Sequence, residues 1–194
     1  HEVVFVCVAF FGSLTDELSA RGFQVWASSA VVRELSGLAW NWQLDAENML
    51  EMLDKHAYKA DWIIVDHYQL DGRWHEAVAQ CGARICVIDD LANRSYHCDL
   101  LVDQNSITSI HDRYPNLVPA HCQLLLGPRF TLLRREFGQV FDLRMSKQEK
   151  LRRQGNLVVF MGGADSDNNT LKVLESLVTQ GTPYPLYVLA GVMN

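Results

Sequence analysis

Trp62-Ile63-Ile64-Val65-Asp66-His67-Tyr68-Gln69-Leu70-Asp71 is the stretch that decides the fold. A short apolar run rich in β-formers passes into a polar cluster, and Asp71 then stands where a helix cap belongs. Behind it Trp74, Ala77, Val78 and Cys81 recur at i, i+3, i+4 and i+7, an apolar helix face closed by Gly82. Arg84-Ile85-Cys86-Val87-Ile88 is the next strand, and it also ends in carboxylates, Asp89-Asp90. The pattern predicts a strand–helix–strand unit with parallel strands.

The alternation extends in both directions. Val3–Val8 is a continuous apolar run, which predicts a strand covered on both faces. Gly12-Ser13-Leu14 opens a short helix that ends at Arg21-Gly22, and Phe23–Trp26 follows as a strand. A helix is predicted over Asp45–His56, with Met49, Leu50, Met52 and Leu53 as its apolar stripe. Cys98–Asp103 and Cys122–Leu126 are further strands. The expected class is therefore α/β, a Rossmann-like parallel sheet with helices on both faces. In such sheets ligands bind at the carboxyl ends of strands. Those ends carry Asp66-His67-Tyr68, Asp89-Asp90 and Asp103-Gln104-Asn105.

Arg129–Arg153 differs in character. It holds 8 of the 17 basic residues, interspersed with glutamates and aspartates. It reads as a solvated helix linking two lobes in preference to a phosphate-binding patch. Beyond it Asn156–Met161 is a strand, Asp167–Gln180 a helix with Leu171, Leu174, Leu177 and Val178 on one face, and Tyr187–Leu189 a strand. One such unit is too small to be a domain alone, so an incomplete second lobe is expected. The expected division is an N-terminal lobe over 1–135, a linker helix over 136–154 and the start of a C-terminal nucleotide-binding lobe over 155–194.

Composition narrows the function classes. Of 194 residues, 48% are hydrophobic and 21% charged, the balance of a globular protein. No apolar run approaches the roughly 18–20 residues of a membrane span. A net charge of −6 disfavours nucleic acid as a partner, since phosphates call for a basic face. Five widely spaced cysteines without a C-x-x-C pair argue against a disulfide framework or a zinc knuckle, and for reduced thiols in the cytoplasm. The chain opens on His1 in place of Met, so further polypeptide is expected upstream.

Three constellations could carry chemistry. Phe160-Met161-Gly162-Gly163-Ala164-Asp165 passes from a strand through two glycines toward a helix start, where backbone N–H groups can approach a diphosphate. The alternative is a tight turn with an Asp or Asn cap. Asp66-His67-Tyr68 could orient a hydroxyl-rich substrate or relay a proton, or Asp66 could cap the turn while Tyr68 packs on the sheet. Asp89-Asp90 suits loop capping or hydrogen bonding to substrate hydroxyls better than metal, because no further ligands appear at a regular spacing. The remaining histidines, His56, His75, His97, His111 and His121, read as surface or satisfied structural residues. No G-x-S-x-G, H-E-x-x-H or G-x-x-x-x-G-K-[ST] motif occurs.

In order along the chain, Ile64–Asp71, Ile88–Arg94, His97–Asn105, Leu125–Phe137 and Met161–Asp165 resemble the UDP-2,4-diacetamido-2,4,6-trideoxy-β-L-altropyranose hydrolase family of pseudaminic acid biosynthesis. The resemblance spans nearly the whole chain. It implies a two-lobed glycosyltransferase-B type fold with the UDP-sugar between the lobes. It also implies metal-independent, cofactor-free attack of water at the anomeric carbon with inversion. A monomer is expected, in the cytoplasm to which the reduced cysteines point. The family's base is the histidine of a Gly-x-Gly-His loop on its first strand. This chain starts at the equivalent of the second strand, so the base lies upstream of His1 and no catalytic residue is carried over. The substrate-binding residues carried over are Asp66, His67, Tyr68, Asp89, Arg134, Gly162, Gly163 and Asp165. The fragment itself is expected to be inactive. A UDP-sugar-dependent glycosyltransferase and a non-catalytic nucleotide-sugar-binding module are the alternatives.

Overall fold

The computed structural model describes residues 2–8, 14–28, 40–139, 155–162, 165 and 167–190. The chain divides into two compact units, His1–Leu132 and Leu133–Asn194.

The first unit contains two parallel sheets. β1 (Val4–Val8) pairs with β2 (Gln24–Ser28), and α1 (Thr15–Ala20) makes the crossover. β3 (Trp62–Val65), β4 (Arg84–Ile88), β5 (Leu100–Asp103) and β6 (Gln123–Leu126) lie side by side in that order. All three pairings are parallel, with Ile63 opposite Ile85, Val87 opposite Leu101 and Asp103 opposite Leu126. The α/β class and parallel strands expected from the alternation are present.

Local chemistry explains where the helices begin. α2 (Trp42–Lys55) starts ahead of Asp45 because the Asn41 side chain accepts the Leu44 N–H at 3.1 Å. α3 (Gly72–Ala79) is capped by Asp71 as the sequence predicts, with Oδ1 3.0 Å from the Arg73 N–H. Gly82 then takes φ +88°, a left-handed conformation that glycine adopts without penalty. Cys81 falls beyond the end of α3 and is exposed, and His75 takes a buried place on that helix instead.

The core joins Ile63, Val65, Ile85, Val87 and Leu101 of the sheet to Trp74 and Val78 of α3, and to Ala46 and Leu53 of α2. Burying each of the larger side chains contributes about 1.5–3 kcal/mol. Coverage on both faces, expected for β1, is not found: Val6 is exposed. Ile64 of β3 is likewise 67% exposed. Among the described residues β1 pairs with β2 alone and β3 with β4 alone, so each has an open edge.

In the second unit β7 (Leu157–Val159) pairs in parallel with β8 (Leu186–Val188), with α4 (Asn169–Gln180) between them in sequence. Leu174 and Leu177 are half-buried, but Leu171 and Val178 of the expected apolar face are exposed, Val178 to 82%. Two short strands offer too little surface to cover a whole helix face. Residues 135–139 form an exposed helical turn, and the rest of the expected linker, 140–154, lies outside the described residues. Among the described residues no helix is long and apolar enough to cross a membrane.

Candidate functional site

The carboxyl ends of β3, β4 and β5 bring together the strand-end polar residues of the first unit. Asp66, His67 and Tyr68 follow β3 directly. Asp66 is exposed, and Tyr68 is 58% exposed. Interaction with the neighbouring Asp90 carboxylate holds the Tyr68 phenol above its usual range; the nearby Asp66 and Asp89 charges add to that shift. His67 is half-buried against Trp40, with ring centroids 4.5 Å apart, and its Nδ1 accepts the Gln69 N–H at 3.2 Å. Beneath it the Asp45 carboxylate accepts the indole N–H of Trp40 at 3.1 Å and of Trp74 at 2.7 Å. Burial raises the Asp45 carboxyl despite those donors and the nearby His67.

Asp89 faces inward. Its Oδ2 accepts the N–H groups of Leu91 (3.0 Å) and Ala92 (2.9 Å) and the Tyr96 hydroxyl (2.7 Å). Ala92 is held at φ +48°, a left-handed backbone that alanine seldom adopts. Arg94 Nη1 stands 2.8 Å from the other oxygen. Burial alone would raise this carboxyl. The Ala92 N–H, the Tyr96 hydroxyl and Arg94 outweigh it and hold the group below the usual carboxylate range.

Arg94 also reaches the β3 end. Its Nε donates to the Leu70 carbonyl at 2.9 Å and its Nη2 to the His67 carbonyl at 3.1 Å. A second arginine links β4 to β5: Arg113 Nη1 donates to Asp103 Oδ2 at 2.7 Å, and Nη2 to the Asp90 carbonyl at 2.8 Å. The buried Tyr114 hydroxyl lies 2.9 Å from Asp103 Oδ2 and 3.2 Å from Asp89 Oδ2. Burial and the Asp103 hydrogen bond push that phenol well above its usual range. Two arginines, two tyrosines and two aspartates thus fix three strand ends from below, and leave Asp66 and Tyr68 toward solvent. Asp90 is half-buried, with Oδ1 enclosed and unpartnered among the described residues and Oδ2 3.4 Å from Asn105 Nδ2. Charge-assisted hydrogen bonds of this kind are shorter and stronger than neutral ones. Such a floor presents a fixed set of acceptors and one phenol, suited to a hydroxyl- or amide-rich small molecule.

The other sequence-derived residues lie in the second unit. Arg134 is exposed, with its guanidinium 5.6 Å from the centre of the Phe137 ring. Gly162 takes φ +86° with open space where a Cβ would stand, while Gly163 lies outside the described residues. Asp165 caps α4, its two oxygens accepting the N–H groups of Asn169 and Thr170, each at 2.8 Å. The Thr170 side chain and these backbone donors hold its carboxyl below the usual range. Asp165 therefore already satisfies the first donors of α4, as the tight-turn reading expects. Among the described residues no group of three or more His, Cys, Asp or Glu side chains is placed to hold a metal ion.

Arg94, Tyr96, Arg113, Tyr114, Trp40 and Asp45 were not legible as site residues. The Asp89-x-x-x-x-Arg94 spacing and the adjacent Arg113-Tyr114 are the only sequence traces of the network, and neither has a periodicity that marks it.

Fold and site together define an α/β, Rossmann-like protein with a polar cluster at the carboxyl ends of its parallel strands. No family model matches the chain. It is similar to the UDP-2,4-diacetamido-2,4,6-trideoxy-beta-L-altropyranose hydrolase of Campylobacter jejuni subsp. jejuni, 28% identical over 177 residues. That similarity covers 91% of this chain, which spans 55% of the relative's length. The resemblance read from the ordered motifs is thereby borne out.

Proposed function

We propose that the chain is part of a nucleotide-sugar hydrolase that releases UDP and 2,4-diacetamido-2,4,6-trideoxy-β-L-altropyranose in pseudaminic acid biosynthesis. The observation that carries this reading is the similarity over 91% of the chain to a relative named for that hydrolysis. The exposed Tyr68 beside Asp90, at the strand ends where α/β sheets take ligands, supports it.

In this reading Asp66, His67 and Tyr68 receive the sugar, and Asp89 positions the loop that carries Asp90. Gly162, Gly163 and Asp165 receive the diphosphate, and Arg134 contacts substrate or sets the two lobes. Water attacks the anomeric carbon from the side opposite UDP. The C–O bond breaks, UDP takes the electron pair, and a base accepts the water proton. That base belongs to a Gly-x-Gly-His loop upstream of His1, on a further parallel strand between β1 and β3. The edges of β1 and β3 that are unpaired among the described residues, and the exposed Val6 and Ile64, support such a strand.

The lobes are of glycosyltransferase-B type: 1–135 is the first, 136–154 the linker and 155–194 the start of the second. The enzyme works as a cytoplasmic monomer on a small molecule, without metal, nucleic acid or membrane. The test is to incubate the product of the full open reading frame with the UDP-sugar and no acceptor. Release of UDP and free sugar is expected. A requirement for an acceptor would instead indicate a glycosyltransferase, and binding without turnover a non-catalytic module.

A further inference from the structure

We infer that Cys98 and Cys122 form an oxidation site at the amino-terminal ends of β5 and β6, where a peroxide converts the two thiols to a reversible disulfide. This site lies at the opposite end of the sheet from the polar cluster and is independent of the proposed hydrolase activity.

The two sulfur atoms are 3.5 Å apart. Their flanking backbone is tied together, with the Gln123 N–H donating to the Asp99 carbonyl at 2.8 Å and Leu100 paired with Gln123. Carried back one step, that register sets Cys122 opposite Asp99, so Cys98 is its diagonal neighbour. Strands about 4.8 Å apart that rise about 3.3 Å per residue keep such a diagonal inside the roughly 4.4–6.8 Å between Cα atoms that a disulfide spans. Closing the sulfurs to about 2.05 Å therefore calls for side-chain rotation with little backbone movement.

The two thiols differ in reactivity. Cys98 is 1% exposed, while Cys122 is half-buried and within reach of a small oxidant. The sulfur–sulfur contact lowers the Cys122 thiol, and the same contact, with burial, raises Cys98. The thiolate is the reactive form, so Cys122 is the attacking group. Its thiolate attacks one peroxide oxygen, the O–O bond breaks, hydroxide leaves and Cys122 becomes a sulfenic acid. The Cys98 sulfur then attacks the Cys122 sulfur. The S–S bond forms, the S–O bond breaks, and the Cys98 proton leaves with the departing oxygen as water. In sum two thiols are oxidised and one peroxide is reduced to two waters. The third nearby thiol, Cys86, is buried and raised chiefly by desolvation, which makes it the poorer partner.

The test uses the reduced chain exposed to hydrogen peroxide, quenched in acid, denatured, alkylated and mapped by mass spectrometry without reductant. The expected result is a peptide pair joined through Cys98 and Cys122, about 2 Da lighter than the two thiol peptides together and separated by dithiothreitol. In Cys98→Ser, Cys122 is expected to be trapped by dimedone as the sulfenic acid, or to pass irreversibly to the sulfinic acid. Should the variant fail to fold, the wild-type map alone decides. The inference is overturned if both cysteines remain alkylatable, if Cys122 is oxidised while Cys98 stays a free thiol, or if Cys122 pairs with Cys86 or Cys81.

Discussion

Arg94 stands 2.8 Å from Asp89, with the two side chains 13% and 0% exposed. The same guanidinium donates to the carbonyls of His67 and Leu70. A charge pair that follows β4 therefore sets the backbone that presents Tyr68 after β3. An isolated buried carboxylate would be costly. Here two backbone N–H groups, two phenols and a guanidinium surround it, and the arrangement is stiff for that reason.

Removing the cation strands the anion. Arg94→Met is expected to lower unfolding free energy by about 3–5 kcal/mol, read from urea denaturation. Arg94→Met combined with Asp89→Asn is expected to recover part of that loss, because the unpaired charge is gone. If the double variant is as unstable as the sum of the two singles, the pair is not coupled as described.

Two buried groups make stability fall with acid in separate windows. His75 is fully buried and neutral, its pKa lowered to about 4, first by desolvation and then by the Arg94 charge. Below about pH 6.5 the unfolded chain takes up a proton at this position that the folded chain refuses, so stability drops from there down to about pH 4, by roughly 3 kcal/mol. Asp89 acts lower: its folded pKa is depressed, so its contribution is complete above about pH 4 and is lost as pH falls through the folded value. His75→Gln should flatten the upper window and Asp89→Asn the lower one, measured as unfolding free energy against pH. An unchanged slope in either variant contradicts the assignment of that window.

Tyr68 has a proposed role in substrate binding that is separable from architecture. Its side chain is 58% exposed, so Tyr68→Phe should change stability by less than about 0.5 kcal/mol. In the proposed full-length hydrolase the same change should lower kcat/KM roughly tenfold or more, the loss of one hydrogen bond to the proposed sugar substrate. Undiminished turnover would remove Tyr68 from the site.

If the base of the proposed hydrolase lies upstream of His1, the 194-residue chain should release no UDP above background. General base catalysis typically supplies about 10²–10⁴-fold, and its loss should be visible in a coupled UDP assay. Rapid release by this chain would mean that a base lies within it.

Most of the architecture was legible because it is local. Strand runs, the Asp71 cap and the Gly82 stop each follow from neighbouring residues, and parallel pairing follows from alternation. The strand-end position of Asp66-His67-Tyr68 was legible for the same reason. The Asp89–Arg94–Tyr114–Asp103–Arg113 network was not, since it depends on contacts between residues up to 25 positions apart. Nor could periodicity show that Val178 lies exposed, because helix amphipathicity marks a face without supplying its partner.

The most direct measurement is to follow the oxygen of water. The product of the full open reading frame is given the UDP-sugar in water labelled with oxygen-18, without an acceptor, and both expected products are weighed by mass spectrometry. Attack at the anomeric carbon places the label on the free sugar and none on UDP. Label in the UDP phosphate, or no sugar released until an acceptor is added, would contradict hydrolysis at the anomeric centre.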